Sequence, residues 1–495
     1  MKKNIKLLCI FLLLGLMSCE LEREDYTQIY PENFYKNEAD VKSAVTAAYH
    51  RFHINTWSGG GLYSTGRYGG INVFTEITTD IMDCNWGDGG SWESYHTHNW
   101  SVSNILDLDG EYRNYKYISQ FRQIMLDIEK SPVSENIKQQ YIGELKVLRG
   151  WLMYLLYDLF GPVPVASDEI LLANPGDAPI LPRLPEEGYV SLMVEEFKDA
   201  LNNEYLPEKA TEWGRVDKGI ASMMLLKVYM HAGNWTEAEK MAREVTGPRF
   251  GYKLMDNYYD CFTKKTEQNQ ENIWSIVCDN ENYVNGWITH VLSPTYPYPN
   301  PNAEAWSGYR MLWDFYETYD LHDKRLEYIV AEYTSKSGEL VNKENPTSEL
   351  LKGPIPLKYT VDPDQIGDKG GTDIPMLRFS DALLSLAECI VRVNGAPDQE
   401  AIDLINKVRN RAGLDDIVLT DYTDVQKFYD MLLLERGHEL YCEGHRRTDL
   451  IRFGKFIEFN KRIPNSQTAD YKVLFPIPNG IIIEGKGEIK QNPGY

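Results

Sequence analysis

Apolar residues recur at helical spacing along both ends of the chain. Val41, Ala44, Val45, Ala48 and Phe52 form one such face, and Ile118, Phe121, Met125 and Ile128 form another. In "YIGELKVLRGWLMYLLYDLFG" a broad stripe of Leu145, Leu148, Leu152, Leu155, Leu156 and Leu159 runs up to Gly161-Pro162, which reads as a helix stop. The same pattern predicts helices near 188–204, 215–232 and 234–245, then at 376–394, 398–412 and 423–443. "KGIASMMLLKVYMHAGNWTEAEKMAREV" reads as helix, short turn, helix, and "MLRFSDALLSLAECIVRVNGAPDQEAIDLINKVRNRAGL" repeats the plan. Small residues Ala382, Ala387 and Ala401 allow close helix contact. The expected fold is mostly α, a tetratricopeptide-like scaffold of helix pairs with a loop-rich, irregular region.

The pattern changes between about 246 and 375. That stretch holds short β-like runs such as "NIWSIVCD" and the segment "SPTYPYPNPN". Pro294, Pro297, Pro299 and Pro301 exclude a helix there. No Ser/Gly linker separates the parts. The chain after its leader therefore reads as one domain over 19–495, with helical scaffold at about 38–245 and 376–460 and a loop-rich insertion at about 246–375. Loops carried on a rigid scaffold are where binding sites concentrate.

The first 18 residues read as a leader of the lipoprotein signal type. Lys2, Lys3 and Lys6 precede an apolar run over 7–17, too short for the roughly 20 residues a spanning helix needs. Leu16-Met17-Ser18-Cys19 resembles a bacterial lipobox, which would make Cys19 the acylated first residue of the mature protein. Glu20, Glu22, Glu24 and Asp25 follow, a cluster that resembles a surface-export signal. The expected location is the outer membrane, lipid-anchored and facing outward.

The formal charge of −22 disfavours nucleic acid and anionic lipid as partners. Cys84, Cys261, Cys278, Cys389 and Cys442 are an odd, scattered set without C-x-x-C spacing, so buried thiols are expected rather than disulfides or zinc.

One stretch concentrates candidate chemistry. "CNWGDGGSWESYHTHNW", residues 84–100, holds three tryptophans and two histidines two positions apart. His96 and His98 could bind zinc with Asp88 or Cys84 as a third ligand, but the chain offers no matched second cluster, and they read as structural. Asp83 or Asp88 would have to serve a hydrolase, but acidic clustering carries little weight in a chain with 73 Asp and Glu. In "ERGHELYCEGHRRTDL" position 442 is cysteine, which breaks the H-E-x-x-H metalloprotease pattern. Glu435, Glu439, Glu443, Arg436, Arg446 and Arg447 read instead as ion pairs interlocking on helix faces. Asp279, Asn280, Glu281 and Asn282 offer hard oxygens suited to a structural calcium, without the spacing of a known loop; no other cofactor is indicated. The stronger signal is aromatic. Trp86, Trp92 and Trp100 sit in a Gly-rich loop, and Trp287, Tyr296, Tyr298, Trp306 and Tyr309 in the Pro/Asn-rich middle, where flat rings can stack on sugars.

Five segments together resemble the SusD/RagB family of Bacteroidetes outer-membrane lipoproteins. They are "TTDIMDCNWGDGGSWESYHTHNW", "ELKVLRGWLMYLLYDLFGPVPV", "FSDALLSLAECIVRVNG" with "AIDLINKVRNRAGL", "LLLERGHELYCEGHRRTDLIRFGKF" and "LFPIPNGIIIEGKGEIKQNPGY". The resemblance implies a helix-pair fold, no catalysis, and capture of a glycan for a TonB-dependent SusC-like barrel; some relatives bind peptides instead. It places the ligand face at Asn85 and Trp86 together with Trp287, Tyr296 and Trp306.

Overall fold

The computed structural model describes residues 34–52, 70–103, 108–174, 179–346 and 349–495; the expected leader and Cys19 lie outside them. Among the described residues, the helices of twelve residues or more are α1 (Glu38–Tyr49), α2 (Tyr115–Lys130), α3 (Glu135–Phe160), α4 (Glu186–Asn202), α5 (Lys218–His231), α6 (Trp235–Thr246), α7 (Phe379–Asn394), α8 (Gln399–Arg411) and α9 (Val425–Leu440). Local chemistry sets their ends. Asp217, Asp398 and Asp424 cap α5, α8 and α9 by accepting from Ile220, Ala401 and Lys427 N–H at 3.0, 2.9 and 2.7 Å. Gly161 ends α3 with φ of 73°, its N–H donating to the Tyr157 carbonyl at 2.8 Å. No helix among the described residues is long and apolar enough to cross a membrane.

The helices stack in chain order. From α2 to α6 each packs on the next; α6 then packs on α7, and α7 on α8 and α9. The C-terminal helices therefore resume the stack where α6 leaves it. The irregular segment lies between two helices that touch. Its base is closed by β2 (Asn272–Ile276), which pairs antiparallel with β4 (Ile374–Arg378). This corrects one boundary: residues 376–378, expected as helix, are strand, and α7 starts only at Phe379. The apolar run is buried on both faces, so its period could not separate strand from helix.

The acidic and basic residues around 435–447 also differ from expectation. They are buried, and they pair across elements rather than with one another along a helix. Arg378 meets Glu271 at 2.7 Å, Glu439 at 2.8 Å and Glu443 at 2.7 Å. Arg411 reaches Glu271 and Glu439, Lys358 reaches Glu443, and Arg325 reaches Asp323, Glu435 and Glu439. Beside them Arg436 joins Asp381 to Asp449, and Arg447 meets Asp158. With Arg409, which reaches Glu435 at 3.1 Å, five bases meet five acids in the main cluster, which is what makes burying them tolerable. The five cysteines are buried and free.

Burial alone would raise the Glu439 and Glu443 carboxyls, but Arg411, Arg378 and Arg325 around Glu439, and Arg378 and Lys358 around Glu443, hold both below the usual range. A carboxylate depressed on folding adds stability that is complete above its unfolded value and lost as pH falls through the folded one. Glu439→Gln is therefore expected to cost about 3–5 kcal/mol in urea unfolding near neutral pH. The wild-type advantage should hold constant above about pH 5 and shrink below about pH 4. A constant difference down to strongly acid pH would contradict this account.

Candidate ligand-binding site

A three-residue ladder assembles the site. β1 (Met82–Cys84) pairs antiparallel with β3 (Tyr309–Met311), in register Cys84 to Tyr309 and Asp83 to Arg310. It brings the Gly-rich loop against the middle segment. Asn85 N–H donates to the Gly308 carbonyl at 2.9 Å. Its Nδ2 donates to the carbonyls of Ser307 at 3.1 Å and Glu349 at 3.3 Å. Trp86 Nε1 donates to the Trp306 carbonyl at 2.7 Å, and Trp306 Nε1 to Glu304 Oε2 at 3.0 Å. Trp86 and Trp306 are both partly exposed. The Trp86 ring lies directly on Gly308, where an added Cβ would stand 2.4 Å from it.

Beneath these two indoles is a buried aromatic layer. His290 meets Trp306 at 4.9 Å and Trp86 at 5.5 Å, both edge-on, and stacks on Tyr309 at 5.8 Å and 12°. Trp92 and Trp287 pack on Tyr309 at 5.6 and 5.8 Å. Burial lowers the His290 pKa to about 4, so the ring is neutral at pH 7, and its Nδ1 donates to the Gly286 carbonyl at 2.6 Å.

Of the five residues expected at the site, the ladder gathers Asn85, Trp86 and Trp306 on one surface. Trp287 is not on it. Its side chain is 2% exposed, and its Nε1 donates to the Pro356 carbonyl at 3.0 Å, so no face is open to a ligand. Tryptophan in a polar, turn-rich segment can as well be the anchor under a loop, and here it is. Tyr296 is partly exposed, and its ring meets Tyr333 at 5.2 Å rather than either indole. Trp92, Tyr298 and Tyr309 are buried.

The other half of the opening stretch turns inward. His98 is buried among Thr78, Thr468 and Asn460, with Nε2 at 2.9 Å from the Thr78 carbonyl. Trp100 Nε1 donates to the Tyr495 hydroxyl at 2.7 Å. Asp83 is held by Lys352 at 2.8 Å, and Asp88 accepts from Trp92 Nε1 at 2.8 Å, so both hydrolase candidates have structural partners. In the 279–282 run, Asp279 Oδ1 accepts the N–H groups of Glu281, Asn282 and Tyr283, and Asn280 Oδ1 accepts from Lys264. Among the described residues no group of three His, Cys, Asp or Glu is placed to hold a metal ion.

Sequence reasoning missed Arg310. It is fully buried, and among the described residues it forms no ion pair. Its guanidinium donates to the carbonyls of Val291 and Tyr309 at 2.7 Å, to Ser307 Oγ at 2.6 Å, and to the Glu349 carbonyl. One side chain thus ties together three loops that carry the site. Burial lowers its pKa to about 10. Nothing in "GYRML" distinguishes it from a surface arginine, because its partners are a serine hydroxyl and backbone carbonyls, two of them brought in from distant segments by the fold.

The SusD family model matches residues 327–495. A SusD-like protein of Formosa agariphila is 25% identical over 98% of both chains. Starch-binding protein SusD of Bacteroides thetaiotaomicron is 23% identical over 85% of this chain and 84% of its own. The chain is thus similar to the SusD/RagB family, through the family model over its C-terminal third and through these relatives over most of its length. Among solved structures, surface glycan-binding protein A from Bacteroides thetaiotaomicron, in complex with laminarihexaose, shares the fold. Its TM-score is 0.74 at 20% identity, over 92% of this chain and all of that one. The segment matching the SusD model contains the buried carboxylates of α9 but none of the five expected site residues. The likeness to the family model is thus carried by the scaffold, and it does not reach the candidate site in the loops.

Two substitutions separate anchor from platform. Trp287→Ala is expected to cost about 3–5 kcal/mol of stability in chemical denaturation, as for any buried tryptophan. Gly308→Ala should leave the far-UV circular dichroism unchanged while altering the near-UV tryptophan bands, because the Trp86 ring must move. An unchanged near-UV spectrum would show that the indole does not rest on Gly308.

Proposed function

We propose that this SusD-like protein is a surface glycan-binding lipoprotein, anchored to the outer membrane through Cys19. In this reading it captures oligo- or polysaccharide at the Trp86–Trp306 surface and delivers it to a TonB-dependent SusC-like barrel, without catalysis. One observation carries the reading. Two partly exposed tryptophans, 220 residues apart in sequence, are joined by a hydrogen bond from the Trp86 indole to the Trp306 backbone carbonyl, above a buried aromatic layer. An indole face accepts the C–H face of a sugar ring. At the rim, Asn85 Oδ1, which accepts no hydrogen bond among the described residues, and the exposed Glu304 carboxylate can take sugar hydroxyls. The names of the similar proteins, a starch binder and a laminarihexaose complex, support the same ligand class.

Each stacked ring adds roughly 1 kcal/mol, so affinity needs both indoles together. Against a polysaccharide panel, Trp86→Ala and Trp306→Ala should each weaken binding about five- to tenfold, or 1–1.4 kcal/mol. Each should lose less stability than Trp287→Ala. Wild-type affinity in both variants would place the ligand elsewhere, and binding of peptides but not glycans would overturn the ligand class.

A lid on an importer needs a specific interface, and a lipid anchor raises the local concentration of its partner. Pull-down from gently solubilised outer membrane is expected to recover a TonB-dependent barrel. Recovery of the protein alone at low salt would count against delivery.

A further inference from the structure

A cleft of about 760 Å³ lies beside the β1–β3 ladder and plays no part in the site above. Trp313, Phe459 and Pro464 supply apolar surface, and four carboxylates in its lining are matched by four cations, in a chain of formal charge −22. A balanced lining on so acidic a protein selects neither an anion nor a cation. With an indole and both donors and acceptors, it suits a neutral polyhydroxylated ring.

Residues 349–352 form the wall between this cleft and the Trp86–Trp306 surface. On one side the Glu349 carbonyl accepts from Asn85 Nδ2 at 3.3 Å. On the other the Leu350 carbonyl accepts from Trp313 Nε1 at 3.1 Å, which fixes the orientation of that indole. Lys352, which lines the cleft, donates to the Cys84 carbonyl at 2.7 Å, one residue before Asn85. The wall is held against β3, where Met311 N–H donates to the Pro354 carbonyl at 3.2 Å. Leu351, between Leu350 and Lys352 in this segment, is 68% exposed, an apolar side chain flanked in sequence by residues that touch both indole-bearing surfaces. Trp313 is itself partly exposed, with Lys343 Nζ 5.5 Å from its ring centroid.

We propose that the glycan track does not end at Trp306 and Trp86 but continues over Leu351 into this cleft, with Trp313 as a distal stacking residue. The proposal rests on the glycan reading of the first surface and adds a length requirement to it. Short oligosaccharides are held by Trp86 and Trp306 alone. Longer ones gain a second foothold.

Calorimetric titration of the full chain tests this. The probes are size-fractionated oligosaccharides, from disaccharide to hexasaccharide, prepared from each polysaccharide of the panel, laminarin and starch included. Wild type should bind the hexasaccharide of its ligand at least fivefold more tightly than the shortest fragment that binds. Leu351→Asp, at an exposed position where folding is not at stake, and Trp313→Phe, which keeps a ring but removes the indole, should each reduce that gain while leaving short-fragment affinity unchanged. Trp86→Ala should weaken binding at every length. If Trp86→Ala behaves so but the length gain survives in both other variants, the extension is wrong and the glycan reading stands. If no fragment of any length binds wild type, both fall.

Discussion

Arg378 is the interaction on which the rest of the molecule depends. It closes β4 and opens α7, and its guanidinium is shared by Glu271 next to β2, Glu439 on α9 and Glu443 beyond it. Bidentate pairing of this kind is directional. A one-residue slip of β4 would turn Arg378 to the other face and leave three buried carboxylates without it. The ion cluster therefore sets the register between the helical stack and the irregular segment, where an apolar contact would tolerate sliding. Because the site loops hang from that segment, the geometry of the ligand surface is inherited from a charge network well away from it.

At the surface the same logic works with rings. Trp306 and Trp86 do not stand free; Trp306 rests on His290, Trp86 on His290, Tyr309 and Trp92, with Trp287 behind Tyr309, and Arg310 fastens the backbone around them. A surface held in this way has little freedom to lose when a ligand arrives, which lowers the entropic cost of binding. The buried aromatics contribute without touching anything outside the protein.

Much of this was readable in the chain. The 3.6-residue period located the helices, since their buried faces are what produces the period. The aromatic clustering pointed to segments that the fold brings together, and Asn85, Trp86 and Trp306 share one surface there. What stayed hidden has one cause: partners distant in sequence. Trp287 and Trp306 sit in similar Asn- and Gly-rich surroundings, and only β1 pairing with β3 decides which is covered. Glu439 read as one of several acids and arginines interlocking as ion pairs on helix faces, whereas its cations come from β4, α8 and the middle segment. Residues 376–378 have the apolar run of a buried helix, and pairing with β2 makes them a strand.

The contact between α6 and α7 has a further meaning for how such a protein diversifies. The two helices are neighbours in space although the whole irregular segment separates them in sequence, so the take-off and return points of that segment are pinned by the stack itself. Doubling the length of a pinned loop adds only about 0.6 kcal/mol of closure cost. The segment behaves as an exchangeable cassette: it can be lengthened, shortened or rewritten while the frame that folds the protein stays the same, provided that Glu271, Arg325, Lys358 and Arg378 are kept as the pins at its root.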